Sequence, residues 1–291
     1  MKPPPFEYHA PDQVDDVLEL LGRGEDAEVR VLAGGQSLVP VMNFRMARPD
    51  ALVDIGRVAA LRSIRREEDG ALAIGAGVRQ SQAMAHADVQ RGWPLLVEGM
   101  RHIGHPQIRS RGTVCGSLAH HDPSSELPAL AVALDAQMTL VSARGRRRLA
   151  AADFFVSYFE TALAPDELLL QVAFPPLPEG VGWSFHEIAR RRGDFAIVGA
   201  VALLRRDADG AIVDPRIVAF GAGSRPIRCS AAEAAARGRA PSAALGRALA
   251  DAIAAEVDPV GDLHGSVEYR RAALGTLVAR AVAESCERAA A

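Results

Sequence analysis

The chain has 291 residues, 49% of them apolar and 24% charged, with a formal net charge of −3. That length supports a well-buried core and suits two domains better than one. The weak acidity gives no reason to expect nucleic acid or an anionic membrane as a partner, and no segment approaches the ~20 apolar residues a membrane span requires.

The N-terminal MKPPPFEYHAPDQ lacks a continuous apolar core and does not read as a secretory signal. FEYH (6–9) alternates as a short strand. Val14, Val17, Leu18 and Leu21 then take the i, i+3, i+4, i+7 spacing of an amphipathic helix, with Asp12 placed to cap its start and Gly22 or Gly24 to end it. EVRVLA (28–33) and ALVDIG (51–56) read as strands. Residues 61–77 read as a hairpin turning at Asp69 and Gly70. Helical patterns follow at 78–87, 94–102 and 124–136, and residues 137–150 form a second hairpin turning at Arg144 and Gly145. The strand in ELLLQVAFPP (167–176) ends in a proline pair, and PPLPEG (175–180) cannot sustain regular structure. The expected division is therefore 1–176, with α/β subdomains of about 1–56 and 57–176, and 177–291. The second part reads as α+β: three antiparallel strands with a turn at Asp209 and Gly210, then helices at about 230–237, 241–256 and 268–289.

Cys115, Cys229 and Cys286 are odd in number and far apart, which fits a reducing cytoplasm better than a disulfide scaffold. They are also too few to hold an iron–sulfur cluster, which usually needs four thiolates. The arginine runs at 146–148 and 190–192 are short and flanked by apolar residues, so they read as solvated strand or turn edges.

Two stretches carry chemistry. VLAGGQSLVP (31–40) places two glycines, an amide and a hydroxyl behind a strand, and RGTVCGSLAHHDPSSELP (111–128) repeats the theme eighty residues later. Glycines take positive φ and carry no Cβ, so consecutive N–H groups can point into one concavity and bind phosphate oxygens without a lysine. Either stretch alone is most simply a turn. Two facing nests would suit a diphosphate. Neither is a dinucleotide fingerprint, nor is GAGVRQ (75–80), and no P-loop motif occurs. His102, His105, His120 and His121 lie near Cys115 and Asp122, but Gly104 and Pro106 bracket His105 and adjacent histidines diverge, which argues against a metal site. A Cys115 nucleophile would draw on nearby N–H donors to lower its pKa but has no base assigned.

The run PPPFEYHAP…VLAGGQSLVPVMNFRMARPDALVDI…HPQIRSRGTVCGSLAHHDPSSELPAL resembles the FAD-binding medium subunit of the molybdenum hydroxylases, the family of carbon monoxide dehydrogenase and xanthine dehydrogenase. The likeness continues through GWSFHEIARRRGDFAIVGAVA and EYRRAALGTLVARAV, covering essentially the whole chain. It implies an α+β fold: a PCMH-type, vanillyl-alcohol-oxidase-like FAD-binding domain followed by a flavoprotein domain with a three-stranded antiparallel sheet and helices. It also implies that Ala33, Gly34, Gly35, Gln36, Ser37 and Leu38 wrap the FAD diphosphate, and that Thr113, Val114, Cys115, Gly116 and Ser117 close it from the other side. By the same resemblance Asp122 meets the ribose or adenosine, Ile108 lies near the adenosine, Leu168 (or Leu169) sits beside the flavin ring and Phe195 lies near the isoalloxazine. No residue is implied to be catalytic.

Cys115 stands where the family has the first glycine of a T-I-G-G run, Ser117 where asparagine is frequent, and Phe195 where tyrosine is common. Glu187 occupies a position where some relatives have lysine. The implied role is an electron-transfer subunit of an oxidoreductase. It would take electrons from the 2Fe-2S clusters of a small subunit, serve a molybdopterin-binding large subunit in a dimer of heterotrimers, and pass the electrons to an external acceptor. The alternative is a non-catalytic nucleotide-binding or assembly module. FGAGSRPIR (220–228) reads as a turn or subunit-contact element.

Overall fold

Strand β1 (Glu7–His9) leads into helix α1 (Val14–Leu21) in the computed structural model, which describes residues 2–25 and 27–289. Val17, Leu18 and Leu21 are buried along one face of α1, and each such side chain contributes about 1.5–3 kcal/mol by leaving water. The residue at the N-cap is Gln13, without a side-chain hydrogen bond, not Asp12. Asp12 lies one residue outside the position from which a carboxylate reaches the free N–H groups of the first turn. Gly22 ends the helix as expected.

Strand β2 (Val29–Leu32), helix α2 (Leu38–Asn43) and strand β3 (Ala51–Asp54) follow, giving a parallel three-stranded sheet of order β1-β3-β2. Strands β4 (Ile64–Arg66) and β5 (Leu72–Gly75) form the first expected hairpin, with Gly70 at φ +85° in its turn. Six helices come next: α3 (Gln80–Ala85), α4 (Ala87–Gly92), α5 (Pro94–Met100), α6 (Pro106–Arg109), α7 (Val114–His120) and α8 (Glu126–Ala133). Strands β6 (Gln137–Ser142) and β7 (Gly145–Ala150) make the second hairpin. Gly145 there pairs with Ser142, so the turn residues are Ala143 and Arg144. Helix α9 (Ala151–Phe154) and the short pair β8 (Phe155–Ser157) and β9 (Glu160–Thr161) precede β10 (Leu168–Phe174). This last strand inserts between β5 and β6, giving an antiparallel sheet of order β4-β5-β10-β6-β7. Arg146, Arg147 and Arg148 lie exposed on its edge strand β7, where charge discourages unwanted strand pairing.

Residues 175–178 form neither helix nor strand, and the Trp93 indole N–H anchors them by donating to Pro175 O at 2.8 Å. Beyond them lie β11 (Gly182–Ile188), β12 (Val198–Arg206) and β13 (Ile212–Phe220), the three expected antiparallel strands, with Gly210 at φ +80° in the β12–β13 turn. A fourth strand, β14 (Ile227–Arg228), pairs with β13, so the sheet has four strands where three were expected. Two residues are too few to show a period in a sequence. Helices α10 (Ser230–Ala236), α11 (Ala243–Glu256) and α12 (Val267–Arg288) cover one face.

Strand β12 explains the layering. Val201 and Leu203 belong to the core shared with the N-terminal part, whereas Ala200, Ala202 and Leu204 pack with α11 and α12. A strand covered on both faces carries a continuous apolar run instead of an alternating one. Helix α8 occupies the seam. All eight of its residues are buried, because α5 lies on one side and β12 and β13 on another. The GAG stretch at 221–223 also serves the seam, since Gly221 N donates to Pro123 O at 3.0 Å. It is at least an internal contact.

Candidate functional site: a cleft between two glycine segments

The first glycine segment leaves the end of β2 and enters α2. Gly35 has φ +71°, a conformation that side-chain-bearing residues rarely adopt. Among the described residues, none of the backbone N–H groups of residues 34–38 donates a hydrogen bond, while Gln36 Nε2 folds back onto Gly34 O at 3.2 Å. Five successive free donors at a strand-to-helix turn form an anion-binding nest.

The second segment is built differently from the expected loop. Residues 114–120 are helix α7, and Thr113 is its N-cap, with Oγ1 accepting the Gly116 N–H at 3.0 Å. An N-cap threonine followed by small residues is a helix start; the N–H groups of Val114, Gly116 and Ser117 there are taken by Val78 O, Thr113 Oγ1 and Thr113 O, so this segment differs from the open nest at 34–38. Cys115 therefore sits in helical backbone without the strain of positive φ.

The two segments touch. A Cβ on Gly34 would fall 2.5 Å from Arg111 O and 2.7 Å from Gly112 Cα, so only glycine allows this backbone-to-backbone approach. Arg79 holds the junction closed, its guanidinium donating to Ala33 O at 3.2 Å and also to Arg111 O. Gln80 N to Gly112 O (2.9 Å) and Val114 N to Val78 O (3.1 Å) tie the same strip of chain to the second segment. Burial, with Arg111 and Arg62 nearby, lowers the Arg79 pKa.

Between the segments lies a cleft of about 1050 Å³, large for a small-molecule site and sized for a dinucleotide. Of the residues singled out from sequence, Ala33, Gly34, Gly35, Gln36, Ser37, Leu38, Ile108, Thr113, Gly116, Ser117 and Phe195 line it. Phe195 reaches it from the loop after β11 and is exposed.

Four others do not line the cleft. Val114 is buried in the core. Cys115 points the same way, its thiol donating to Ile74 O at 3.5 Å, and burial pushes that thiol up to about 12. This is the opposite of the lowered value a nucleophile needs. Leu168 is buried in β10 opposite Val141. The Asp122 carboxyl accepts from Ser124 N at 2.9 Å, and burial raises its pKa.

The histidines are drawn into separate contacts. His102 Nδ1 lies 3.1 Å from Glu187 Oε1, the His120 ring stacks on Phe159 at 5.3 Å, and His121 Nδ1 lies 3.0 Å from Glu160 O. Among the described residues no three His, Cys, Asp or Glu side chains converge as metal ligands would.

Three participants escaped the sequence reading. Arg79 lies in GAGVRQ, a stretch with no cofactor pattern of its own. Gln80 is buried in the cleft wall with Oε1 unpartnered. Glu126, the first residue of an otherwise apolar helix, lines the cleft, and burial together with Glu187 pushes its carboxyl up to about 8. A glutamate opening an apolar helix was the one available signal.

The family model described as the FAD binding domain in molybdopterin dehydrogenase matches residues 4–177, and that of the CO dehydrogenase flavoprotein C-terminal domain matches residues 183–285. The chain is 43% identical to the 6-hydroxypseudooxynicotine dehydrogenase complex subunit alpha of Paenarthrobacter nicotinovorans, over 99% of this chain and 97% of that one. It is 36% identical to the carbon monoxide dehydrogenase medium chain of Hydrogenophaga pseudoflava, over 97% of both. A solved structure of carbon monoxide dehydrogenase from Hydrogenophaga pseudoflava superposes over the full length of both chains with a TM-score of 0.95 and 37% identity. The quinoline 2-oxidoreductase of Pseudomonas putida 86 covers 99% of each chain with a TM-score of 0.94 and 33% identity.

Proposed function

The chain belongs to the family of FAD-binding medium subunits of molybdopterin-dependent dehydrogenases, and from that premise we propose that it is the electron-transfer subunit of such a complex. It takes electrons from 2Fe-2S clusters on a small subunit, beside a molybdopterin-binding large subunit in a dimer of heterotrimers, and delivers them to an external acceptor. One observation carries the reading: two glycine segments in backbone contact wall a cleft large enough for a dinucleotide, and the first presents the free N–H groups of residues 34–38 beside it.

The residues present fit FAD. The N–H groups of residues 34–38 would supply donors to one side of a diphosphate, and Thr113, Gly116 and Ser117 at the start of α7 would wall the other. Arg79 fixes the spacing of the two sides without entering the cleft. Ser37 and Ser117 add hydroxyl donors, and Ile108 offers an apolar surface to the adenosine end. Phe195 covers the ring, and Gly193 beside it packs onto Gly104, holding the C-terminal part against the cleft. Bound FAD supplies the redox chemistry; the protein's task is binding, orientation and electrostatics. Of the residues expected at the cofactor, Val114, Cys115 and Leu168 act by shaping the walls from behind.

The domain boundary falls within 175–180, with the FAD-binding part before it and the covering part after. Three unpaired, buried cysteines support a reducing cytoplasmic setting. Among the described residues no helix is long and apolar enough to cross a membrane.

The test is an absorption spectrum of the purified chain after incubation with FAD and desalting, repeated on the chain co-expressed with its partner subunits. A retained flavin spectrum that dithionite bleaches supports the reading. A colourless complex overturns it and leaves an assembly module.

A further inference from the structure

Gln80 stands in the cleft wall without a role in the reading above. It is 3% exposed and lines the cleft together with Gly34, Ile108, Gly112 and Thr113. Its backbone opens helix α3 and is pinned to the second segment by the bond from Gln80 N to Gly112 O at 2.9 Å. The carboxamide leans over that same segment. A Cβ on Gly112 would fall 3.2 Å from Gln80 Oε1 and 3.3 Å from its Cδ, closer than an ordinary contact, so glycine at 112 makes room for the amide.

Among the described residues Gln80 Oε1 is buried without a hydrogen-bond partner. Donors of the adjoining chain are engaged elsewhere: the Arg79 guanidinium on the carbonyls of Ala33 and Arg111, Gly112 N on Ile108 O at 2.7 Å, and Val114 N on Val78 O at 3.1 Å. A buried amide oxygen left unpaired destabilises the protein that carries it, and the great majority of such oxygens in folded chains are paired. Only a donor can pair it. A diphosphate offers acceptors alone, whereas a sugar hydroxyl offers a proton. In FAD such hydroxyls flank the diphosphate on both sides, on the ribose and on the ribityl chain.

We propose that Gln80 is a binding residue of the cleft, its Oε1 accepting a hydrogen bond from a sugar hydroxyl next to the diphosphate of the dinucleotide. The identity of that ligand rests on the flavin reading above. The contact gives the second side of the cleft a polar grip that the N–H groups opening α7 cannot supply, because three of them are spent within the protein. It also gives Gln80 opposite effects on the two states of the chain. The unpaired oxygen weakens the flavin-free fold, and its pairing strengthens the loaded one. A side chain kept only for packing would stabilise both.

The test compares the wild type with Gln80→Met, an unbranched apolar side chain of similar length. FAD is titrated into the flavin-free chain, alone and assembled with its partner subunits, and the flavin-free forms are melted. Gln80→Met is expected to bind FAD about tenfold more weakly, the loss of one buried hydrogen bond, while its flavin-free form melts at or above the wild-type temperature. The same titration with ADP and with FMN locates the hydroxyl: weakened ADP binding assigns it to the ribose, and weakened FMN binding to the ribityl chain. Weaker FAD binding with neither ADP nor FMN affected overturns the hydroxyl contact. FAD affinity equal to or tighter than wild type overturns the proposal. A flavin-free Gln80→Met that melts lower, or does not fold, makes Gln80 a packing residue and overturns it too. A wild-type complex that takes up no FAD overturns the flavin reading and this contact with it, whereas wild-type affinity in Gln80→Met overturns the contact alone.

Discussion

Gly34→Ala probes the contact on which the cleft depends. The new Cβ would lie 2.5 Å from Arg111 O and 2.7 Å from Gly112 Cα, against 3.4 Å or more for an ordinary contact. Both obstacles are backbone atoms and cannot rotate aside, so one glycine segment must retreat by about 1 Å. Overpacking of this kind costs about 1–3 kcal/mol. If the segments stay together, the strain lowers the melting temperature. If they part, the donors on the two sides no longer match one diphosphate, and at about 1.4 kcal/mol per tenfold the affinity for FAD falls roughly ten- to hundredfold. Titration of FAD by fluorescence quenching, paired with thermal melting, separates these outcomes. Gly22→Ala is the control, because a Cβ there meets nothing within 4 Å and φ is −62°. Wild-type melting together with wild-type FAD affinity in Gly34→Ala would refute the argument that the two segments must touch.

Arg79→Met removes both guanidinium contacts to the carbonyls of Ala33 and Arg111; charge-assisted bonds of this kind are worth about 1.5–3 kcal/mol, so FAD affinity should fall about tenfold or more in the same titration. Cys115 and Cys229 are buried, and burial pushes both thiols up to about 12; neither should react with a thiol reagent at pH 8 until denaturant is added, and stoichiometric labelling of the native chain would contradict the packing. Glu126 ionises near 8 when folded but at an ordinary carboxylate value when unfolded, so its contribution to stability is complete at acid pH and is lost as the pH rises towards 8. The loss is up to about 5 kcal/mol, and Glu126→Gln should flatten the dependence of melting temperature on pH between those limits. Gly246→Ala, in α11, places a methyl 3.6 Å from Ala279 Cβ and should raise stability by about 0.5–1 kcal/mol in a denaturant melt.

Local chemistry was readable wherever neighbours in the chain decide the conformation. The turns at Gly70 and Gly210 follow from glycine's tolerance of positive φ. Helix α1 follows from the spacing of its buried face, and the break at 175–178 from prolines that no strand or helix accepts. The glycine segments were legible as backbone-exposing stretches for the same reason, and residues 33–38 line the cleft. What folding in three dimensions decided lies where distant segments meet. That the second segment is the capped start of a helix depends on the strip at 78–80 holding it in register. That Cys115 turns inwards depends on β5 lying beneath it. Helix α8 shows no polar face because it is enclosed by elements from both parts of the chain, and that enclosure gives a glutamate at its first position a raised pKa. Arg79 became a clasp only because two carbonyls 78 positions apart in sequence, those of Ala33 and Arg111, arrive within reach of one planar guanidinium. Periodicity and turn propensity act over a few residues, whereas desolvation, close backbone approach and shared donors act between whichever residues the fold brings together.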